Sequence, residues 1–256
     1  MKYIRNFSAH TDYEAEMSKI PTPSVSYCRK ENECHFMPSN VIMFKVGDLN
    51  GNTNQTVTVN YDKGSETIPI TEGNKWYVHN IPSGKSLYKF VGIYDITDTI
   101  ISAKLAKEFE NSILSKIRGN VSFIGCDTSE VTSMYNIFYL CAKLTSLDVT
   151  RLVTSKVTDL SSMFYFCRSL KTLDVSNWDT SKVTDMRAMF YYCSSLQALD
   201  VSNWNVSNVI HMGSMFHNCG ELKTIYMRNC NQTTIDKIKA QLETDGILNN
   251  VTIITE

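Results

Sequence analysis

The sequence predicts an α+β protein in two parts: a small antiparallel β domain followed by a capped solenoid of 26-residue rungs, each two short strands plus a short helix. Two observations predict this. Cys141, Cys167, Cys193 and Cys219 stand 26 residues apart, and Phe138, Phe164, Phe190 and Phe216 keep the same interval. So do Leu144, Leu170, Leu196 and Leu222, and Val131, Val157, Val183 and Val209. A fixed period of this size marks units that bury their apolar faces only by stacking on one another. Upstream of the repeats, the pattern is instead the period-two alternation of strands.

Residues 1–38 form an N-terminal segment, with a helical turn or two predicted at 11–19 before the extended PTPSVSYC and ECHFMP. A Cys28–Cys34 bridge is geometrically open there. Residues 39–97 read as a small β-sandwich-like domain. VIMFKV (41–46), QTVTVNY (55–61), SETIPI (65–70), KWYVHNI (75–81) and SLYKFVGI (86–93) are its strand candidates, separated by turns at Gly47–Gly51, Lys63-Gly64, Glu72-Gly73-Asn74 and Pro82–Gly84.

Residues 98–256 form the predicted solenoid. A cap helix is expected over 102–117, because Leu105, Phe109, Ile113 and Ile117 fall four apart, with Ser102 as N-cap and Gly119 as stop. Repeats follow over 128–227, with units starting at 128, 154, 180 and 206. In the second, Val157 and Leu160 sit on a short extended segment. Met163, Phe164 and Cys167 have helical spacing, and Leu170, Leu173 and Val175 make an L-x-x-L-x-V strand, which gives the solenoid its leucine-rich-repeat-like character. The frame extends outward: Val121 and Phe123 stand one period before Leu147 and Val149, and Val251 and Ile253 one period after Ile225 and Met227. A C-terminal cap over 228–256 contains TTIDKIKAQL, an amphipathic helix with a Thr233/Asp236 capping box.

Composition narrows function by exclusion. The 25 basic and 26 acidic residues balance without a basic run, so neither nucleic acid nor a membrane surface is the expected partner. Apolar stretches are too short to span a bilayer. Gly84-Lys85-Ser86 is a phosphate-loop fragment only, because His79 stands where the first glycine is required. No hydrolase or metalloprotease motif occurs, and the five histidines are scattered. No catalytic residue, metal or cofactor is therefore expected. The cysteine ladder runs in a line, whereas zinc needs ligands converging on a point, so these thiols read as core. Trp178 and Trp204 share their register with Leu152 and Cys230, which points to packing.

Two outward columns are the ligand candidates. Asp148, Asp174 and Asp200, followed by Tyr226, alternate with inward Leu and Val; they could hold a cation or a basic or hydroxyl-rich ligand, or simply bond to nearby backbone and to Lys171, Lys223 or Arg228. Tyr139, Tyr165, Tyr191 and His217 form an aromatic stripe suited to a glycan or protein, or else half-buried between rungs.

The phrase LDVSNWDTSKVTDMRAMFYYCSSL (173–196) resembles the BspA-type leucine-rich repeat of surface proteins from gut and oral Bacteroidetes, with DTSKVTDM, MF-x-x-C and SL-x-x-LDVSNW in order. The SVSYCRKENECHFMP segment is similar to a leader on proteins of Bacteroidales and their phages. The resemblance implies a non-enzymatic adhesion or recognition scaffold that binds a host or cell-surface protein or glycan. The alternative is a structural or attachment component of a phage virion or surface fibre, with homo-oligomer contacts. A cell-surface, extracellular or virion location follows. MKYIRNFSAHTDYEAEM lacks the apolar region of a signal peptide, so that location is expected to be reached by another route or after removal of a signal.

Overall fold

The computed structural model describes residues 23–30, 33–38, 41–49, 55–62, 64–91, 96–102, 104–111, 117–123 and 126–256. It is a strand-rich mixed structure with antiparallel sheets and a parallel one. The helical turns expected at 11–19 lie outside the described residues. Strands β1 (Pro23–Lys30) and β2 (Glu33–Pro38) form an antiparallel hairpin whose register sets Cys28 opposite Cys34.

All five strand candidates of the next segment are strands: β3 (Val41–Val46), β4 (Gln55–Tyr61), β5 (Gly64–Ile70), β6 (Trp76–Asn80) and β7 (Leu87–Val91). They divide between two sheets together with β8 (Ile96–Ser102), β9 (Leu105–Asn111) and β10 (Ile117–Ser122). β5-β4-β7-β9 is one sheet, and β6-β3-β8-β10 is the other, extended by β11 (Ser146–Asp148) of the first repeat. β3 sits between β6 and β8 with Val41, Ile42, Met43 and Phe44 fully buried, which suits its unbroken apolar run. β10 pairs with β11 in the 26-residue frame, Val121 opposite Leu147, as the sequence register predicts.

Where the sequence predicts a cap helix over 102–117, the described residues are extended; 103 and 112–116, with Ile113, lie outside the described residues. Leu105–Asn111 is β9, pairing in parallel with β7 from Leu87 opposite Leu105, and Ile117 opens β10. Residues four apart share a face on a strand as well as on a helix, so the apolar spacing did not discriminate between them. Pairing to β7 decided the outcome.

From residue 128 the repeats stack in parallel. β12 (Thr172–Asp174), β13 (Ala198–Asp200) and β14 (Thr224–Tyr226) pair at steps of 26, and β15 (Thr252–Ile254) closes the sheet. Ile225 lies opposite Ile253, so the last step is 28 residues and the predicted Ile225–Val251 match is corrected by two. An even slip keeps the same side chains on the same face. Between β14 and β15 lies α1 (Gln232–Thr244), capped by Asn231, whose side chain accepts from the Thr234 amide. The cap is therefore Asn231, not Thr233.

The core is a set of columns. Phe138, Phe164, Phe190 and Phe216 are wholly buried, with ring centroids 5.3, 5.5 and 5.8 Å apart and planes within 10°. Phe123 meets the first of them edge-on. The cysteines, also fully buried, donate across the stack: Cys167, Cys193 and Cys219 Sγ–H to the carbonyls of Phe138, Phe164 and Phe190 at 3.0–3.2 Å. Burial pushes the thiols of Cys167 and Cys193 well above their usual range and that of Cys219 up to about 12, so they stay protonated and unreactive. Trp178 and Trp204 repeat the device, Nε1–H to the carbonyls of Val149 and Val175 at 3.0 Å, and Cys230 Sγ–H reaches Val201 at 3.4 Å.

The short helix expected in each unit is a pair of tight turns instead. Main-chain N–H groups of Met134, Asn136, Phe138 and Leu140 donate to carbonyls of the following unit, while those of Ile137, Tyr139 and Cys141 close i→i+3 turns. A helix would direct its N–H groups beyond the first turn to carbonyls four residues back in its own unit, with no alternation between units. The alternation requires left-handed backbone at two positions per unit, Asn136, Ser162, Ala188 and Ser214 in one column and Leu140, Phe166, Tyr192 and Asn218 in the other, all with φ between 53 and 63°. Such residues are strained unless glycine, or asparagine in part. Ala188→Gly is accordingly expected to raise stability by about 1 kcal/mol, measured by chemical denaturation. A midpoint that stays put or falls would show that the neighbouring units relieve the strain at Ala188.

Candidate functional site

The left-handed turns project two neighbouring side-chain columns to one side of the stack. Tyr139, Tyr165, Tyr191 and His217 stack ring on ring, with centroids 4.9, 4.7 and 5.1 Å apart and planes within 21°. This spacing is the separation of hydrogen-bonded strands, so the backbone ladder sets the ring pitch. The three tyrosines are half-buried and His217 is exposed. Beside them run Leu140, Phe166, Tyr192 and Asn218, where Phe166 and Tyr192 stack at 4.6 Å and Tyr165 lies 4.9 Å from Phe166. The Arg168 guanidinium sits over Phe166 at 4.2 Å and is 5.6 Å from the Tyr192 ring. Sequence reasoning found the first column and missed the second, because Leu, Phe, Tyr and Asn share no side-chain chemistry; their common property is the left-handed backbone.

Stacking changes what the tyrosines can offer. Tyr165 has Tyr139 on one face and Tyr191 on the other, and Tyr191 lies between Tyr165 and His217. Both faces of these inner rings are occupied, so the column presents ring edges and phenol hydroxyls. Free aromatic faces are confined to the ends of the columns.

The aspartate column serves the turns. Asp148 Oδ1 accepts from the Thr150 amide and hydroxyl at 3.1 and 2.8 Å, and Asp174 Oδ1 from those of Ser176 at 3.0 and 2.6 Å. Asp200 Oδ1 takes the Ser202 amide at 3.0 Å, with Arg228 3.9 Å from its other oxygen. Arg228 also covers the Tyr226 ring at 4.6 Å. These are Asx turns that fix the chain as it leaves each strand. A second set, not singled out in the sequence, does the same at Asp159 and Asp185, whose Oδ1 atoms accept from the amides of Ser161 and Arg187. The D-x-S spacing that Asp159 shares with Asp174 was the available signal.

The far end of the stack is closed by α1 and by Asp245, the residue that follows it. In inner units the amides of Phe138, Phe164 and Phe190 donate to the next unit; for Phe216 the acceptor is Asp245 Oδ2 at 2.9 Å, which also receives Gln241 Nε2 at 2.9 Å. Lys237 Nζ donates to three carbonyls, those of Val206, Ser207 and Val209, at 2.9–3.1 Å. Next to Asp245 the surface opens into a cleft of about 430 Å³ lined by Tyr192, Ser194, His217, Asn218, Gly220, Glu221, Asp245 and Ile247. Among the described residues no group of three or more His, Cys, Asp or Glu side chains is arranged to hold a metal ion, and no helix is long and apolar enough to cross a membrane.

Stacked repeats with outward aromatic and Asx-turn columns define a repeat protein. Residues 104–238 match the family described as Mycoplasma protein of unknown function, DUF285, and the chain belongs to that family. Comparison with curated proteins and with solved structures finds no match.

Proposed function

We propose that the chain is a non-enzymatic recognition protein of the BspA type, whose repeats form a leucine-rich-repeat-like solenoid acting at a cell surface, outside the cell or on a virion. Its aromatic face binds a host or cell-surface protein or glycan. The observation that carries this is the pre-stacked double column from Tyr139 to His217 and from Phe166 to Tyr192. Rings already held by their neighbours lose little side-chain freedom when a partner docks. Tyrosine edges and hydroxyls suit partners that offer both apolar area and hydrogen-bonding groups. The Asp148, Asp174 and Asp200 column is the weaker candidate, since its Oδ1 atoms are committed to turns.

The test replaces Tyr165 and Tyr191 together with serine and measures capture of partners from host-cell extract and on a glycan array. Binding should be lost while the melting midpoint moves by only a few degrees. Undiminished capture by the double variant would overturn the assignment of this face. Light scattering belongs beside it, because a stable trimer or larger assembly would support the fibre alternative.

A further inference from the structure

The aromatic columns end in a cleft, and the cleft differs in kind from the face that leads to it. Along the face, inner rings are covered by their neighbours on both sides. At the end, His217 stacks on Tyr191 at 5.1 Å and Tyr192 on Phe166 at 4.6 Å; the two end rings meet edge to face at 6.4 Å, and both line the cleft. Two aromatic rings and a concave volume therefore occur together here.

Polar groups in the cleft are free for a ligand. The amides of Leu140, Phe166 and Tyr192 donate to the carbonyls of Tyr165, Tyr191 and His217 in the next unit; the equivalent amide, of Asn218, has no such acceptor among the described residues. Asp245 uses Oδ2 for the Phe216 amide and Gln241, which leaves Oδ1 without a partner among the described residues. Glu221 is exposed at the rim, and Ser194 and the Asn218 side chain add a hydroxyl and an amide. An aromatic wall beside a carboxylate, an amide and a main-chain donor matches the two surfaces of a sugar ring, apolar C–H on its faces and hydroxyls at its edge. The lining contains two carboxylates and no lysine or arginine, which disfavours anionic ligands.

We propose that this cleft is a subsite for one pyranose ring of a neutral or amino sugar, stacked against the end of the columns, and that it rejects acidic sugars. The proposal shares with the function above the premise that this side of the stack meets ligand. The cleft adds a defined chemical class and its own residues.

The experiment is calorimetric titration of the full chain with three probes: the trisaccharides of N-acetylglucosamine, glucosamine and galacturonic acid. The first two should bind, and the third should bind at least about tenfold more weakly. Tyr192→Asn, which installs the residue the next unit carries at this left-handed position, should weaken the first two about tenfold. Glu221→Gln, at an exposed side chain, should weaken them by a smaller factor and narrow the discrimination against the acidic trimer. Lys156→Gln, at an exposed side chain paired with Glu130 and outside both columns, should leave all three titrations unchanged. Silence with every trimer, a preference for the acidic one, or indifference to both cleft variants would overturn the subsite. If sugar binding is lost in Tyr139→Ser, on the face, but kept in Tyr192→Asn, the cleft fails and the face stands. If sugar binding depends on Tyr192 while the Tyr165/Tyr191 double variant captures partners undiminished, the face fails and the cleft stands.

Discussion

Phe190→Ala should cost about 3–5 kcal/mol, at the top of the range for a single core truncation. The ring is wholly buried and lies between Phe164 and Phe216 at 5.5 and 5.8 Å, so truncation empties contacts on two interfaces at once. The units around it are held by ladders of main-chain hydrogen bonds at fixed pitch and cannot close on the vacancy. Urea denaturation is the measurement, with the slope recorded beside the midpoint. A stack is stabilised approximately as a sum of units and interfaces, so weakening a central interface should also lower the slope or split the transition. A loss under about 1 kcal/mol would show that the phenylalanine column does not carry the core.

Lys237→Met should cost about 2–3 kcal/mol, because the stem is kept while three carbonyls lose a charged donor. Val206 and Val209 are buried, which limits the water available to replace it. The damage should be local. Hydrogen exchange in α1 and β15 should accelerate before exchange at the central units does, because Lys237 is on the cap and its acceptors are on the last repeat. Uniform exchange with an unchanged midpoint would mean that water replaces the ammonium at no cost.

Most of the repeat core could be read in the sequence because one interval governed every column. Phe, Cys, Leu and Val at 26-residue spacing are all buried, and the shared register of Leu152, Trp178, Trp204 and Cys230 correctly marked the tryptophans as packing. The path of the chain between those anchors was less legible. Met163, Phe164 and Cys167 fit a helical turn by spacing, yet the Ser162 and Phe166 backbone is left-handed, a state that neither residue type advertises. Leu105 and Phe109 fit a helix for a related reason: a spacing of four satisfies both periods, and only the distant β7 selects between them. The tyrosine column was legible as a column, but its ring-on-ring stacking was not. Stacking depends on unit pitch, and pitch is a property of the ladder rather than of any one residue.

The main-chain and side-chain bonds of each inner unit reach only the units immediately before and after it, and two different devices, Asp245 and Lys237, finish the last one. Such a design separates length from termination. A tandem duplication of one 26-residue segment would leave the terminating contacts as they are and move them outward by one strand spacing, about 4.8 Å. The aromatic face would grow by one tyrosine step, while the cleft at its end kept its walls. Gene-level gain or loss of a unit thus becomes a ruler graduated in strand spacings, adjusting how far the end cleft stands from the amino-terminal sheets without redrawing either.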